Sequence, residues 1–477
     1  MGREAEGVVP ARSSLVEEMA LGDLGDDRLN ERRNRLMTVL ERHPDTTFPH
    51  ICADDAEVEA LYRFLRNPRV TPDAILAPHA EATQRRCAAL HEVLVIHDTT
   101  EMVFAGDTPR AGLTPLGPDR YGFGVHMALA VSADGVRAPL GVASLIPFVH
   151  KTRPPGTARR WRERIADPDK ESRVWIDSVD AVRGRLDRPN AAIHVMDRGA
   201  DSYALFATLA TRGDRVVARL AQDRAVVAED GAAATVAAAA PQTAVCERQV
   251  SVARRQRKNQ PPRARQQHPP RAERVATLHV AARHFVMQRP HALPSTLPRS
   301  ISVNVVYVWE AAPPDGEDPI SWRLITTESI DSVDQVLQIV DWYSARWIIE
   351  EFFKALKTGC AYEKRQLESL QTLVIALALL APIAWQLLLL RHLSRHAPTA
   401  AAKVVFSARQ IAVLRAAPAG QALPPTPTIG AVLLAIARLG GHLKQNGPPG
   451  WLVLGRGVQT LLVMESGWAA AEHASRM

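Results

Sequence analysis

Two aspartates and a glutamate stand where divalent-cation chemistry would want them. Asp98 closes the apolar run that begins VLVI at 93–96, and Asp197 directly follows AAIHVM at 191–196. Both runs read as strands buried on two faces. A carboxylate at the carboxyl edge of such a strand is held rigidly yet reaches solvent, and two such strands side by side would bring both carboxylates to one place. Oxygen ligands without His or Cys suit Mg²⁺, which keeps water and substrate phosphate in its shell. Strand-end aspartates also serve as turn and cap residues, so neither one settles the chemistry.

The third acid, Glu350, lies in DWYSARWIIEEFFKALKT (341–358), which reads as one helix. At 100° per residue, Tyr343, Arg346, Glu350, Lys354 and Lys357 fall within an arc of roughly 80°. Ile349, Phe352, Phe353 and Leu356 take the opposite side. One reading is an exposed face laced by the i,i+4 pairs Arg346–Glu350 and Glu350–Lys354. The other is a metal ligand flanked by groups that grip phosphates. Glu351 points about 100° away from Glu350, off the stripe, which leaves Glu350 as the candidate ligand.

Several elements must position these groups. At 477 residues the chain needs two to four domains, and 46% hydrophobic with 23% charged residues is a globular composition. A net charge of +7 favours a polyanionic partner. Residues 15 to 80 read as a small helical unit: Asp26 or Asp27 caps an Arg-dense helix, RLNERRNRLMTVLERH, and DAEVEALYRFLRN ends before Pro68. In the second helix Leu61, Phe64 and Leu65 face a core while Arg63 and Arg66 stay outside. That basic face is either simply solvated or a surface for a DNA backbone.

From Glu92 the pattern turns to strands, with a hairpin over 124–146 turning at Asp134-Gly135. DSYALFATLAT suits a helix, and RVVARLA (215–221), ISVNVVYVWE (301–310) and WRLITT (322–327) read as strands. The stretch from about 225 to 275 reads as irregular and includes a mobile basic loop, RRQRKNQPPRARQQHPPR, at 254–271. Helices follow from Val333. Leu373 to Leu390 is apolar for 18 residues apart from Gln386, near the lower limit for a membrane span. With Pro382 inside and no companion span, it reads as a buried core or dimer helix, not a membrane segment. Cys52, Cys87, Cys246 and Cys360 show no metal or disulfide spacing and read as buried cytosolic thiols. The first fifteen residues hold no apolar leader core.

Six segments, in order, carry a resemblance. Tyr343-x₂-Arg346-x₃-Glu350-x₆-Lys357 reproduces the YREK signature of bacterial cut-and-paste transposases of insertion-sequence family four, and RWIIEEFFKALKTG is similar to that family's segment around its catalytic glutamate. VIHDTTEM around Asp98 and MDRGADSYA around Asp197 resemble its two aspartate motifs. ALGDLGDDRLNERR and ALYRFLRNP resemble its N-terminal DNA-binding region, and AVLLAIARLGG its C-terminal region.

The resemblance implies an α/β fold: an RNase H-like catalytic core with a mainly β insertion, flanked by N-terminal and C-terminal helical domains. The corresponding boundaries are 1–80 for DNA binding, 81–365 for catalysis with the insertion at about 220–328, and 366–477 for dimerisation. The 153 positions separating Asp197 from Glu350 call for that insertion. It further implies a DNA transposase that binds terminal inverted repeats, cleaves element ends by two-metal phosphoryl transfer through a DNA hairpin, and joins them to target DNA. Asp98, Asp197 and Glu350 would hold two Mg²⁺ ions, replaceable by Mn²⁺. Trp322 takes the position of the aromatic that stacks on a flipped base, although a strand-core tryptophan is the other reading. Tyr343, Arg346, Lys354 and Lys357 would hold phosphates, with Arg219, Arg28 and Arg32 as further DNA contacts. The partners implied are double-stranded DNA and a second copy in a paired-end homodimer, without a membrane, in the bacterial cytoplasm at the nucleoid. One departure stands out: the region around Cys246 lacks the aromatic that the family places before the basic loop.

Overall fold

The computed structural model describes residues 15–106, 108–150, 173–252, 271–418, 423–443, 445 and 447–475. These fall into two compact units, one within Met1–Thr157, Asp177–Ala191 and Trp347–Met477, the other within Ala158–Ile176 and Ala192–Arg346. The architecture is mixed α/β, with helices at both ends of the chain.

The first unit opens with helices Leu15–Ala20, Asp27–Arg42, Asp55–Leu65 and Pro72–Ala88. Each of the last three starts on a side-chain cap: Asp26 accepts from the Arg28 N–H, Asp54 from Glu57 and Thr71 from Ala74. A cap satisfies one of the amide donors that a helix start leaves without a partner. Leu61, Phe64 and Leu65 are buried and Arg63 and Arg66 exposed, as expected, and Leu36, Met37 and Leu40 of the preceding helix are buried as well.

Four antiparallel strands follow: β1 (Val93–Ala105), β2 (Thr114–Gly117), β3 (Arg120–Ser132) and β4 (Pro139–Phe148). β3 pairs with β1 from Val93↔Ser132 to Ala105↔Arg120, with β4, and at its start with β2. The β3–β4 turn is held by Asp134, whose Oδ1 accepts from the Ser132 hydroxyl and from the Val136 and Arg137 N–H groups.

The apolar helix Leu370–His396 threads this unit and packs on the helix Pro72–Ala88 and on β4. Its length and composition would let it cross a membrane, with a mean hydropathy of 2.5, but 94% of that window is buried inside the protein. A helix apolar all round needs cover on every side, and here it has it. Helices Ala408–Ala416, Ile429–Leu439 and Trp451–Ala474 complete the unit. The last two cross closely because both are glycine at the contact: a Cβ on Gly440 would lie 2.0 Å from Val453 O, and one on Gly457 2.0 Å from Ile436 O.

The second unit holds β5 (Ala192–Met196), β6 (Arg215–Arg219), β7 (Ala225–Ala228), β8 (Ala233–Thr235), β9 (Cys246–Val252), β10 (Arg274–Gln288), β11 (Ser300–Glu310) and β12 (Ser321–Thr326). β5 and β6 are parallel, joined through the helix Tyr203–Arg212; from β6 the order runs β12, β11, β10, β7, β8, with β9 also on β10. The helix Val333–Ser344 packs on this sheet and starts with a reciprocal cap between Ser332 and Gln335.

Two expectations need correction here. The stretch 225–275 is not irregular throughout, because β7, β8, β9 and the start of β10 occupy it. Its alanines hid strands that form by pairing, β7 and β9 with the long neighbour β10 and β8 with β7, an effect of register and not of local propensity. The basic run 254–271 lies outside the described residues apart from Arg271. All four cysteines are free, but only Cys87 and Cys360 are buried; burial pushes both thiols up to about 12.

Candidate active site

Asp98 sits on β1 where the strand leaves two-sided burial: residues 93–97 are buried, and exposure alternates from Asp98 onward. It does not end the strand, as the apolar run suggests, but is its sixth residue of thirteen. The Thr99 N–H bonds Asp98 Oδ1 at 2.7 Å. The Thr99 hydroxyl reaches His126 Nδ1 at 2.8 Å, and the His97 and His126 rings stack 5.7 Å apart beneath the strand surface. Burial pushes His126 down to about 3, so it adds no positive charge beside Asp98 at neutral pH.

Glu350 lies on the helix Trp347–Lys354, which packs on β1 through a face that includes buried Ile349, Phe352 and Phe353. Its neighbour Glu351 is engaged elsewhere, 2.7 Å from Lys354, 3.6 Å from Arg391 and 4.0 Å from Arg395. Lys354 therefore pairs with Glu351 three residues back. Lys357 reaches Glu363 at 3.2 Å and donates to the Glu101 carbonyl of β1.

The segment 341–358 is not one helix, and the predicted single stripe is corrected accordingly. Tyr343 belongs to the helix Val333–Ser344, and Arg346 to the turn after it. The Ala345 and Arg346 N–H groups bond to Trp342 O and Tyr343 O, three residues back, which tightens and ends that helix. Glu350 is on the next helix, and Lys357 on a π-helical turn, Ala355–Gly359, where the Cys360 N–H reaches Ala355 O. A constant 100° per residue does not survive these changes of pitch.

In the second unit Asp197 follows β5 at once, and its Oδ1 accepts the Gly199 N–H at 2.7 Å. A Cβ on Gly199 would stand 3.0 Å from that oxygen and 3.1 Å from the Trp175 ring, so the tight turn favours glycine there. Asp201, in the same motif, is structural: its carboxylate is buried, accepts from the Ala221 and Gln222 N–H groups and pairs with Arg224. Trp322 of β12 and Tyr343 pack edge to face, 5.3 Å between centroids at 61°. Arg219 of β6 donates to Ser321 O at 2.7 Å beside them. Burial lowers the Arg219 pKa; Tyr343 opposes this, while the positive charges of Arg198 and Arg346 lower it further. One phenol, one indole and three guanidinium groups are thus concentrated together.

In the helix Asp27–Arg42, Arg28 is exposed, Arg32 half-buried, and Arg33 turned inward to Asn34 and the Ala20 carbonyl. Among the described residues no three His, Cys, Asp or Glu side chains converge closely enough to hold an ion.

Residues 11–70 match the transposase DNA-binding family, and residues 169–385 match the transposase DDE domain family. Together the two matches span more than half of the chain. The chain belongs to the DDE transposases.

The transposase is thus a metal-dependent enzyme of DNA cleavage and strand transfer, with DNA as its partner. Arg28 and Arg32 fall within the DNA-binding match; Asp197, Glu350, Trp322, Arg219, Tyr343, Arg346, Lys354 and Lys357 fall within the DDE match, and Asp98 precedes it. Among solved structures, a cryo-EM piggyBac transposase synaptic complex with hairpin DNA is similar over 82% of this chain and 75% of that one, at 10% identity and a TM-score of 0.35. That likeness is too distant to carry an argument. Sequence reasoning passed over two residues of the transposase. Arg198 joins the Arg219 cluster, and its signal was a basic residue directly after the motif aspartate. Trp347, 55% exposed and directly after Arg346, carried no signal in the sequence beyond its residue type.

Proposed function

We propose that this transposase belongs to the YREK-signature branch of insertion-sequence family four. It binds terminal inverted repeats, cuts them through a DNA hairpin and joins the ends to target DNA. The observation that carries this reading is the cluster of Trp322, Tyr343, Arg219 and Arg346, brought together from distant parts of the chain. An indole held edge-on by a phenol offers a stacking face for an unpaired base, and the guanidinium groups suit flanking phosphates. Lys354 and Lys357 extend the phosphate contacts beside Glu350, and Arg28 and Arg32 serve end DNA from the N-terminal helices.

Asp98, Asp197 and Glu350 would hold two Mg²⁺ ions, or Mn²⁺ in their place. The donor set fits: all three are carboxylates, each at or just beyond a rigid element. When bound, the ions would activate water or a 3′-OH and stabilise the leaving oxygen of an in-line displacement. The backbone N–H bonds to Asp98 and Asp197 orient those carboxylates in advance. The core is RNase H-like, with the β7–β12 region as its insertion, the N-terminal helices (1–80) as the end-binding domain, and 366–477 as the homodimer region. Exposed Leu434, Leu452, Val463 and Trp468 on the last helices support the dimer. An enzyme of this kind works in the bacterial cytoplasm, at the nucleoid.

The test is cleavage of linear DNA carrying the element's own terminal repeats, with Mg²⁺, Mn²⁺ or EDTA. Metal-dependent nicking at the repeat boundary followed by a hairpin product is expected; binding without cutting in any metal would sink the reading. Within that assay, Trp322→Ala should leave first-strand nicking near wild type and depress hairpin formation. Loss of one base-stacking contact is worth about 1–3 kcal/mol, or roughly 5- to 150-fold. Equal loss at both steps on a denaturing gel would make Trp322 a packing residue of β12 only.

A further inference from the structure

The helix that carries Glu350 has two faces at work: one packs on β1, and the other meets the C-terminal part of the chain. Glu351 ion-pairs with Arg391 at 3.6 Å. The Arg391 guanidinium in turn lies 4.2 Å from the centre of the Trp451 ring. Trp451 is the first residue of the last helix, Trp451–Ala474. Carboxylate, guanidinium and indole thus form a continuous stack from the residue beside Glu350 to the start of that helix. Arg391 is mostly covered, which strengthens both of its contacts relative to solvent-exposed ones.

A second contact joins the same partners. A Cβ on Gly455 would lie 3.1 Å from the carbonyl oxygen of Gly359, so only a glycine sits there without pressure. Gly359 ends the π-helical turn that continues directly from the Glu350 helix. The last helix also touches the N-terminal helix Asp27–Arg42, where Gln459 Nε2 and His43 Nδ1 are 2.9 Å apart. It therefore bridges the helix bearing Arg28 and Arg32 to the one bearing Glu350.

We infer that the last helix is a clamp that positions Glu350, with Glu351, Arg391, Trp451 and Gly455 as positioning residues. This rests on the proposed metal-ligand role of Glu350. The clamp touches neither DNA nor metal; it fixes the pitch and placement of the helix from which Glu350 projects. A carboxylate displaced by about 1 Å can cost around 100-fold in rate.

The experiment uses the full-length protein with Trp451→Ala, Trp451→Phe, Glu351→Gln and Gly455→Val, and reads cleavage, end-DNA binding and amide exchange over residues 347–359. Trp451→Ala and Glu351→Gln should cut about 10- to 100-fold more slowly, bind end DNA as wild type does, and exchange faster over 347–359. Trp451→Phe keeps an aromatic face for Arg391 and should restore cleavage to within about threefold of wild type. Should Gly455→Val fail to fold, the Trp451 pair still decides. Wild-type cleavage and exchange in Trp451→Ala would overturn the clamp, as would equal loss of binding and cleavage, which marks a general folding role. Cleavage by Glu350→Gln would instead sink the metal-ligand reading, whatever the Trp451 variants show.

Discussion

Glu350→Gln is expected to abolish DNA cleavage while leaving end binding within about threefold of wild type. The substitution keeps the shape of the side chain, so the helix Trp347–Lys354 still packs on β1 through Ile349, Phe352 and Phe353. What it removes is the charge that makes a carboxylate a ligand for a hard divalent cation. Charge stabilisation by a catalytic metal is worth several kcal/mol, and about 4 kcal/mol corresponds to roughly a thousandfold in rate. In the proposed reading end binding rests on different groups, the N-terminal helices within the DNA-binding match and the Arg219–Arg346 cluster, which the change does not touch. The neighbouring carboxylate gives the contrast: Glu351 is committed to Lys354, Arg391 and Arg395, so Glu351→Gln should slow cleavage and not abolish it. The measurement is single-turnover nicking over a Mn²⁺ series beside a gel-shift titration. Mn²⁺-dependent nicking by Glu350→Gln at more than about a tenth of the wild-type rate would remove Glu350 from the site.

Glu18→Ala should be the most destabilising single change among the polar residues of the first unit. Glu18 is 3% exposed; its two oxygens lie 2.5 Å from His79 Nδ1 and 2.7 Å from Arg86. The Val142 N–H donates to His79 Nε2, which fixes the proton on Nδ1, facing Glu18. Arg86 also covers the Trp385 ring at 4.5 Å, and Trp385 donates to Pro139 O. One carboxylate therefore ties the first helix to the helix Pro72–Ala88, to β4 and to the long apolar helix. Its removal leaves a guanidinium and a ring N–H without their acceptor in a closed interior, a loss of about 3–5 kcal/mol. Urea unfolding would register this as a lowered midpoint, and a loss below about 1 kcal/mol would show that water replaces the carboxylate. The pH dependence carries a matching sign. Burial alone would raise the Glu18 pKa, but His79 and Arg86 outweigh it and hold it below 4.5. The stabilisation from this carboxylate is thus complete above that value and is lost as the pH falls through the lower folded value. Glu18→Ala should flatten that acid limb.

Much of this was legible in the residues. Asp26, one of two cap candidates, caps the Arg-dense helix, which starts at Asp27. The apolar run 373–390 reads as a buried helix, and the helix Leu370–His396 is buried. Short-range chemistry of this kind depends on neighbours within one helical turn, and so does the turn at Asp134. Strand ends were less legible. β1 runs past Asp98 because Met102 and Phe104 continue an alternating pattern against β3, weaker than the run before it.

The order and types of Asp98, Asp197, Glu350 and their basic companions are properties of the sequence alone, because ligand chemistry follows from side-chain type and a rigid element beneath it. The tertiary structure decided what those residues touch. It broke 341–358 between Ser344 and Trp347 although neither proline nor glycine stands there, since packing and not propensity ends that helix. It separated Glu350 from Glu351 by giving Glu351 three cationic neighbours from two helices. It gathered Arg219, Trp322, Tyr343 and Arg346 from two strands, a helix and a turn. Such contacts join positions far apart in the chain, and no local pattern encodes them; they exist only once burial of the apolar faces has set the elements side by side.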